Sequence, residues 1–153
     1  MLRFEGDRNF SRTPAEVWTR LTDARFLVRC IPDVDSVKEV SADRAVLILR
    51  PGFAFVRGTL EVTLTIGNRS DPTTAKIQLH SKGIGSSSTV AATLVLAALG
   101  EAATRVHWVA EVTELGGLLK LVPGGLIRGA AQKVITDAWT NAEARMSEEP
   151  SKT

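Results

Sequence analysis

The reading of the fold turns on "RTPAEVWTRLTDARFLVRCIPDVDSV", Arg12 to Val37. Two helix starts stand here close together, followed by a stop. Thr13 is placed as an N-cap, Pro14 suits the first helical position, and Glu16 falls where a capping box needs it. Val17, Trp18 and Leu21 then share one face. Asp23 can cap a second short helix carrying Phe26, Leu27 and Cys30, and Pro32 ends it. So small a pair cannot be a core of its own, and what flanks it decides its use.

Upstream, "LRFEGDRNF" (2–10) alternates apolar and polar positions and reads as a first strand. Downstream, six short segments alternate in the same way: 35–40, 45–50, 57–68, 75–83, 88–96 and 104–113. In "RGTLEVTLTIGN" Leu60, Val62, Leu64 and Ile66 fall on one face, with Thr59, Glu61, Thr63 and Thr65 on the other. From about Pro123 to Arg145 the period changes. Ile127, Ala130, Ala131, Val134, Ala138 and Ala142 recur at three and four, the spacing of a helix face.

The order is strand, two short helices, six strands, long helix. An antiparallel sheet with one polar face must bury the other, and the long helix is the available cover. The sequence therefore predicts an α+β fold: a curved antiparallel sheet of about seven strands gripping a long C-terminal helix. Space is left where helix and sheet diverge, and the two short helices close it. One domain over 1–147 and a disordered tail over 148–153 are expected.

Composition narrows the function. The 153 residues carry 19 Lys and Arg against 17 Asp and Glu, a net charge of +2, too balanced for nucleic acid. Cys30 is the only cysteine, which excludes an internal disulfide and a Cys-rich zinc site. No run is apolar enough for a secretory signal or a membrane span, so a cytoplasmic protein is expected.

Candidate chemistry is sparse. His80 falls in phase with Lys76, Gln78 and Lys82, and His107 with Arg105 and Glu111, so both read as solvated sheet surface rather than metal ligands. Cys30 has no neighbouring base that would activate it. "GIGSSS" (83–88) lacks the helix that follows a phosphate loop and reads as a bend or bulge. Glu5, Asp7, Glu39, Glu61 and Glu111 form no spaced acid–base pair. No catalytic residue, no metal and no cofactor are predicted.

"TPAEVWTRLTDARFLVRCIP", "VRGTLEVTL", "HSKGIG" and "GGLLKLVPGGLIRGAAQKV" stand in the order found in the CoxG family of carbon monoxide dehydrogenase, which the chain resembles from about residue 4 to 140. That family falls within the START-like, polyketide-cyclase-like superfamily of helix-grip folds. The family usually continues "CIPG", whereas here Asp33 follows Pro32. The resemblance implies an accessory protein with an apolar cavity, linked to molybdenum hydroxylases of the carbon monoxide dehydrogenase type and to their membrane association.

The expected function is thus non-catalytic binding of a hydrophobic small molecule, lipid or quinone-like, with peripheral contact at the inner face of a membrane. Phe53, Phe55, Leu64, Leu79, Trp108, Ile127 and Val134 are the expected lining, with Trp18, Phe26 and Ile31 closing the end. "GFAFVRG" (52–58) is the expected lip. Two alternatives stay open. One is a cyclase or dehydratase of the same superfamily, which would need polar groups inside, with Ser81, Thr93 and Cys30 the best available. The other is a partner-docking module without a ligand.

Overall fold

A computed structural model describes residues 2–52, 58–67 and 73–148. The expected lip residues Phe53 and Phe55, and all but the first residue of the expected tail, lie outside these segments.

Seven strands form one antiparallel sheet: β1 (Leu2–Phe10), β2 (Val34–Val40), β3 (Arg44–Leu49), β4 (Leu60–Gly67), β5 (Thr74–Gly83), β6 (Ser86–Ala98) and β7 (Thr104–Gly117). Their order across the sheet is β1-β7-β6-β5-β4-β3-β2. Every strand after β1 thus pairs with its sequence neighbour, and β1 closes onto β7, setting Gly6 opposite Trp108. In β4 the alternation holds, with Val62, Leu64 and Ile66 buried between half-buried Glu61, Thr63 and Thr65.

Between β1 and β2 lie α1 (Pro14–Leu21) and α2 (Ala24–Cys30). The Thr13 hydroxyl accepts from the Glu16 amide at 3.2 Å and donates to Glu16 Oε1 at 3.1 Å, so Thr13 caps α1 and Pro14 opens it as expected, with the Glu16 carboxylate on the Thr13 hydroxyl where a capping box would set it on the Thr13 amide. Asp23 Oδ1 accepts from the Arg25 amide at 2.9 Å and starts α2, which ends at Cys30, ahead of Pro32. After β7 come a short 3-10 helix (Leu118–Leu121) and α3 (Gly124–Glu148). Pro123 stands just before α3, its carbonyl accepting from the amides of Leu126 and Ile127.

"GIGSSS" resolves as a two-residue hairpin turn between β5 and β6, with Gly83 paired to Ser86. Register shifts lie elsewhere: at Thr113 of β7, opposite Thr89 and Val90 of β6, and at two points of β2 against β3. Close backbone approach occurs at Gly83, where a Cβ would stand 2.7 Å from the Thr59 carbonyl oxygen.

The long helix is fixed mainly at its C-terminal half. Asn141 Nδ2 donates to the Cys30 carbonyl and Arg145 Nε to the Arg29 carbonyl, each at 2.9 Å. Both meet the C-terminal end of α2, where unsatisfied carbonyls attract donors and positive charge. Arg8 pairs with Glu143 at 3.2 Å, tying α3 to β1. Ala142 and Met146 are buried, and the Trp139 ring lies 6.2 Å from Phe10 and 6.0 Å from Trp108. The N-terminal half spans the sheet with less to hold it: Ile127 is buried, and Arg128 lies 5.4 Å over the Phe4 ring.

Candidate functional site: an apolar cavity between sheet and helix

A cavity of about 390 Å³ lies between the sheet and α3. From α3 the walls are Ile127, Ala130, Ala131, Val134, Ile135 and Ala138, joined by Trp139 and Ala142. This is the stripe read from the helical spacing, and its alanines explain the space. Short side chains on a helix held off by two tryptophans cannot reach the strands opposite.

The sheet contributes alternate positions of four central strands, as a period of two requires. These include Leu60, Val62 and Leu64 of β4, Ile77 and Leu79 of β5, Val90, Ala92 and Leu94 of β6, and Trp108, Ala110 and Val112 of β7. The end is closed by the last turn of α2 and the residues after it: Leu27, Cys30, Ile31, Pro32 and Asp33.

Of the expected lining residues, Ile31, Leu64, Leu79, Trp108, Ile127 and Val134 stand around this cavity. Trp18 and Phe26 do not. Trp18 is half-buried against the core, and Phe26 is buried within it. Leu21 at the end of α1 and the last turn of α2 reach the cavity, whereas the Phe26 ring packs into the buried core instead. Phe53 and Phe55 are not described.

Polar groups are few. Ser81 and Ser88 face each other across β5 and β6, share a hydrogen bond and both reach the lining. Cys30 is buried, its thiol donating to the Phe26 carbonyl at 3.4 Å. Thr93 is not in the lining. Trp108 is buried, and its indole Nε1 has no hydrogen-bond partner among the described residues. Gly6 allows this placement, since a Cβ there would lie 3.1–3.3 Å from the indole. Ser88 and the indole N–H were missed in the sequence. Ser88 could have been found by pairing it with Ser81, but an unpartnered N–H leaves no trace in a residue pattern.

The histidines stand outside. His80 is exposed, with Nδ1 3.0 Å from the Thr89 hydroxyl, and His107 is exposed on β7 with Nδ1 2.8 Å from Asp7 and Nε2 3.6 Å from Glu5. Among the described residues no group of three His, Cys, Asp or Glu side chains could hold a metal ion. Glu61, also away from the cavity, accepts from Lys38 Nζ at 2.9 Å, a bond that holds its carboxyl below the ordinary value. No described helix is long and apolar enough to cross a membrane.

Comparison with solved structures agrees with this fold. A conserved protein from Geobacillus kaustophilus superposes with a TM-score of 0.83 at 20% identity, covering 96% of each chain. A START superfamily protein from Mycobacterium smegmatis gives 0.69 at 10% identity, covering 95% of this chain and 97% of the other. Norcoclaurine synthase from Thalictrum flavum, solved with dopamine and hydroxybenzaldehyde, gives 0.62 at 12% identity over 98% and 89%. At such identities the likeness establishes the START-like helix-grip fold. No curated protein matches the sequence. The family model for CoxG of carbon monoxide dehydrogenase matches residues 6–147. The chain belongs to the CoxG family of carbon monoxide dehydrogenase.

Proposed function

We propose that this protein binds a hydrophobic small molecule, lipid or quinone-like, between sheet and long helix and does no chemistry on it. It serves as an accessory protein to a molybdenum hydroxylase of the carbon monoxide dehydrogenase type, in peripheral contact with the membrane from which such a ligand comes. The observation that carries this reading is the cavity, aliphatic on both walls and large enough for a ligand of modest size. Affinity in such a site comes from apolar area removed from water, at about 25 cal/mol per Å². The family membership supports the accessory role.

The enzyme alternative needs a base or acid among the walls. The described lining holds Cys30, Asp33, Ser81 and Ser88 but no histidine, lysine or glutamate, and nothing in it pairs a nucleophile with a base. Ser81 and Ser88 suit a ligand with one or two oxygen atoms on an apolar frame.

The test is extraction and mass spectrometry of the protein purified from its native host, beside a carbon monoxide dehydrogenase pull-down. A stoichiometric apolar molecule is expected. Recovery of an empty protein that also takes up no apolar probe would refute the reading.

A further inference from the structure

We propose that one end of the molecule, built by the Ile84–Gly85 turn, the 3-10 helix and the first turn of α3, is a docking surface for an anionic lipid bilayer. Eight large apolar side chains are exposed among the described residues, and four of them gather here: Ile84 (40% exposed), Leu118 (54%), Leu121 (78%) and Leu126 (52%). The Leu118 amide donates to the Gly85 carbonyl at 3.0 Å, which joins the turn to the 3-10 helix. An exposed apolar cluster of this kind marks a contact with something other than water.

Ile84 sharpens the point. Ile84 and Gly85 have φ of +56° and +69°. Two successive positive angles in a two-residue hairpin favour Asn-Gly, and a β-branched residue is strained there. The Ile84 side chain lies beside the backbone at Gly58 yet leaves 40% of the residue exposed. Its side chain is explained if it meets an apolar phase outside.

Charge selects the kind of surface. Between Glu114 and Asp137 the chain carries Lys120, Arg128 and Lys133 and no acidic residue, and the stretch Lys82–Ser88 adds Lys82, again with none; of these, Lys82 and Lys133 pair with Glu61 and Asp137 and Arg128 lies over the Phe4 ring, which leaves Lys120 as the outward cation. Lys120, on the 3-10 helix itself, has no ion pair among the described residues. Leucines beside an unpaired cation match the boundary between acyl chains and anionic headgroups. A second copy fits less well, because four side chains offer well under the roughly 800 Å² per partner of a stable interface.

Position connects the surface to the cavity. Leu119, between exposed Leu118 and Lys120, lines the cavity, as do Leu60, Ser81 and Ser88 at the same end. Resting on the ligand-binding reading, this end would be where an apolar molecule passes between bilayer and protein without crossing water.

The experiment is flotation of the full chain with vesicles of phosphatidylcholine, with and without phosphatidylglycerol, beside titration of a fluorescent apolar probe in solution. Wild type should bind the anionic vesicles and lose binding at high salt. Leu121→Glu should cut partition at least about tenfold, because it sets a charge where a leucine entered the interface. Lys120→Gln should cost about fivefold on anionic vesicles and nothing on neutral ones. Ile84→Asn should melt at the same or a higher temperature while binding vesicles more weakly, a combination that damage to the fold cannot produce. Probe affinity should be unchanged in all three, since none of these side chains lines the cavity. Wild type that ignores anionic vesicles, or variants that bind them equally well, would overturn the docking surface even if the probe still binds. Vesicle binding without probe uptake would instead count against the cavity reading alone. A concentration-dependent dimer abolished by Leu121→Glu, with no vesicle binding, would reassign the face to a second copy.

Discussion

Asp33 stands where the chain leaves α2 for β2, with φ +63° and its carbonyl accepting from the Arg50 amide at 2.9 Å. The departure from the family's "CIPG" thus falls on a left-handed residue, where glycine is unstrained and aspartate is tolerated. Asp33→Gly keeps the backbone bond and should raise stability by about 0.5–1 kcal/mol, read from denaturant melts. Trp108 is a second residue whose setting decides its role. Its N–H already lacks a partner, so Trp108→Phe loses no hydrogen bond in the unliganded fold. The nitrogen is shut off from the cavity beside Gly6, so the variant should lose no more affinity for an apolar ligand carrying an oxygen than for a pure hydrocarbon of the same size. A selective loss for the oxygen-bearing ligand would mean that the N–H turns into the cavity and bonds it. Spacing placed Trp108 on an apolar strand face, but not the orphaned nitrogen, which depends on Gly6 across the sheet and on Trp139 above.

At the scale of elements, α2 and α3 separate core from cavity. Phe26 belongs to the core, so Phe26→Ala should cost about 3–5 kcal/mol and leave probe affinity unchanged in the protein that stays folded. Leu79, half-buried at the cavity wall, already lacks packing on one side. Leu79→Ala should cost well under the roughly 2–5 kcal/mol of a fully packed leucine such as Leu47, yet change probe affinity. On α3, Gly129 is exposed, and a Cβ there would meet nothing within 4 Å. Gly129→Ala should therefore stabilise by up to about 1 kcal/mol, helix propensity acting without a steric cost. The capping of α1 and α2 was legible because it is local, each cap lying within three residues of its partner. The overhang of α2 was not, because α2 is tied to α3 by contacts more than a hundred residues apart in sequence: Asn141 to the Cys30 carbonyl and Arg145 to the Arg29 carbonyl.

At the scale of the whole molecule, the architecture followed from two periods, two along the strands and three-to-four along the last helix. The alanines of α3 carried the further information that its contact face is thin. Ala130, Ala131, Ala138 and Ala142 fill little, and the void they leave is bounded by Trp108 and Trp139 rather than collapsed. A pattern of hydrophobic residues does not distinguish side chains that meet one another from side chains that meet a space, which is why Phe26 and Leu79 look alike in sequence and differ in the fold. The strongest test of that space is to fill it. Ala131→Phe adds a ring to the lining from the helix side. With an apolar fluorescent probe titrated into wild type and variant, and melts run alongside, the variant should fold with equal or greater stability and bind the probe at least about tenfold more weakly, since the ring occupies room the probe needs. A variant that folds and binds the probe as tightly as wild type would place the probe elsewhere and contradict the central claim that this cavity is the binding site.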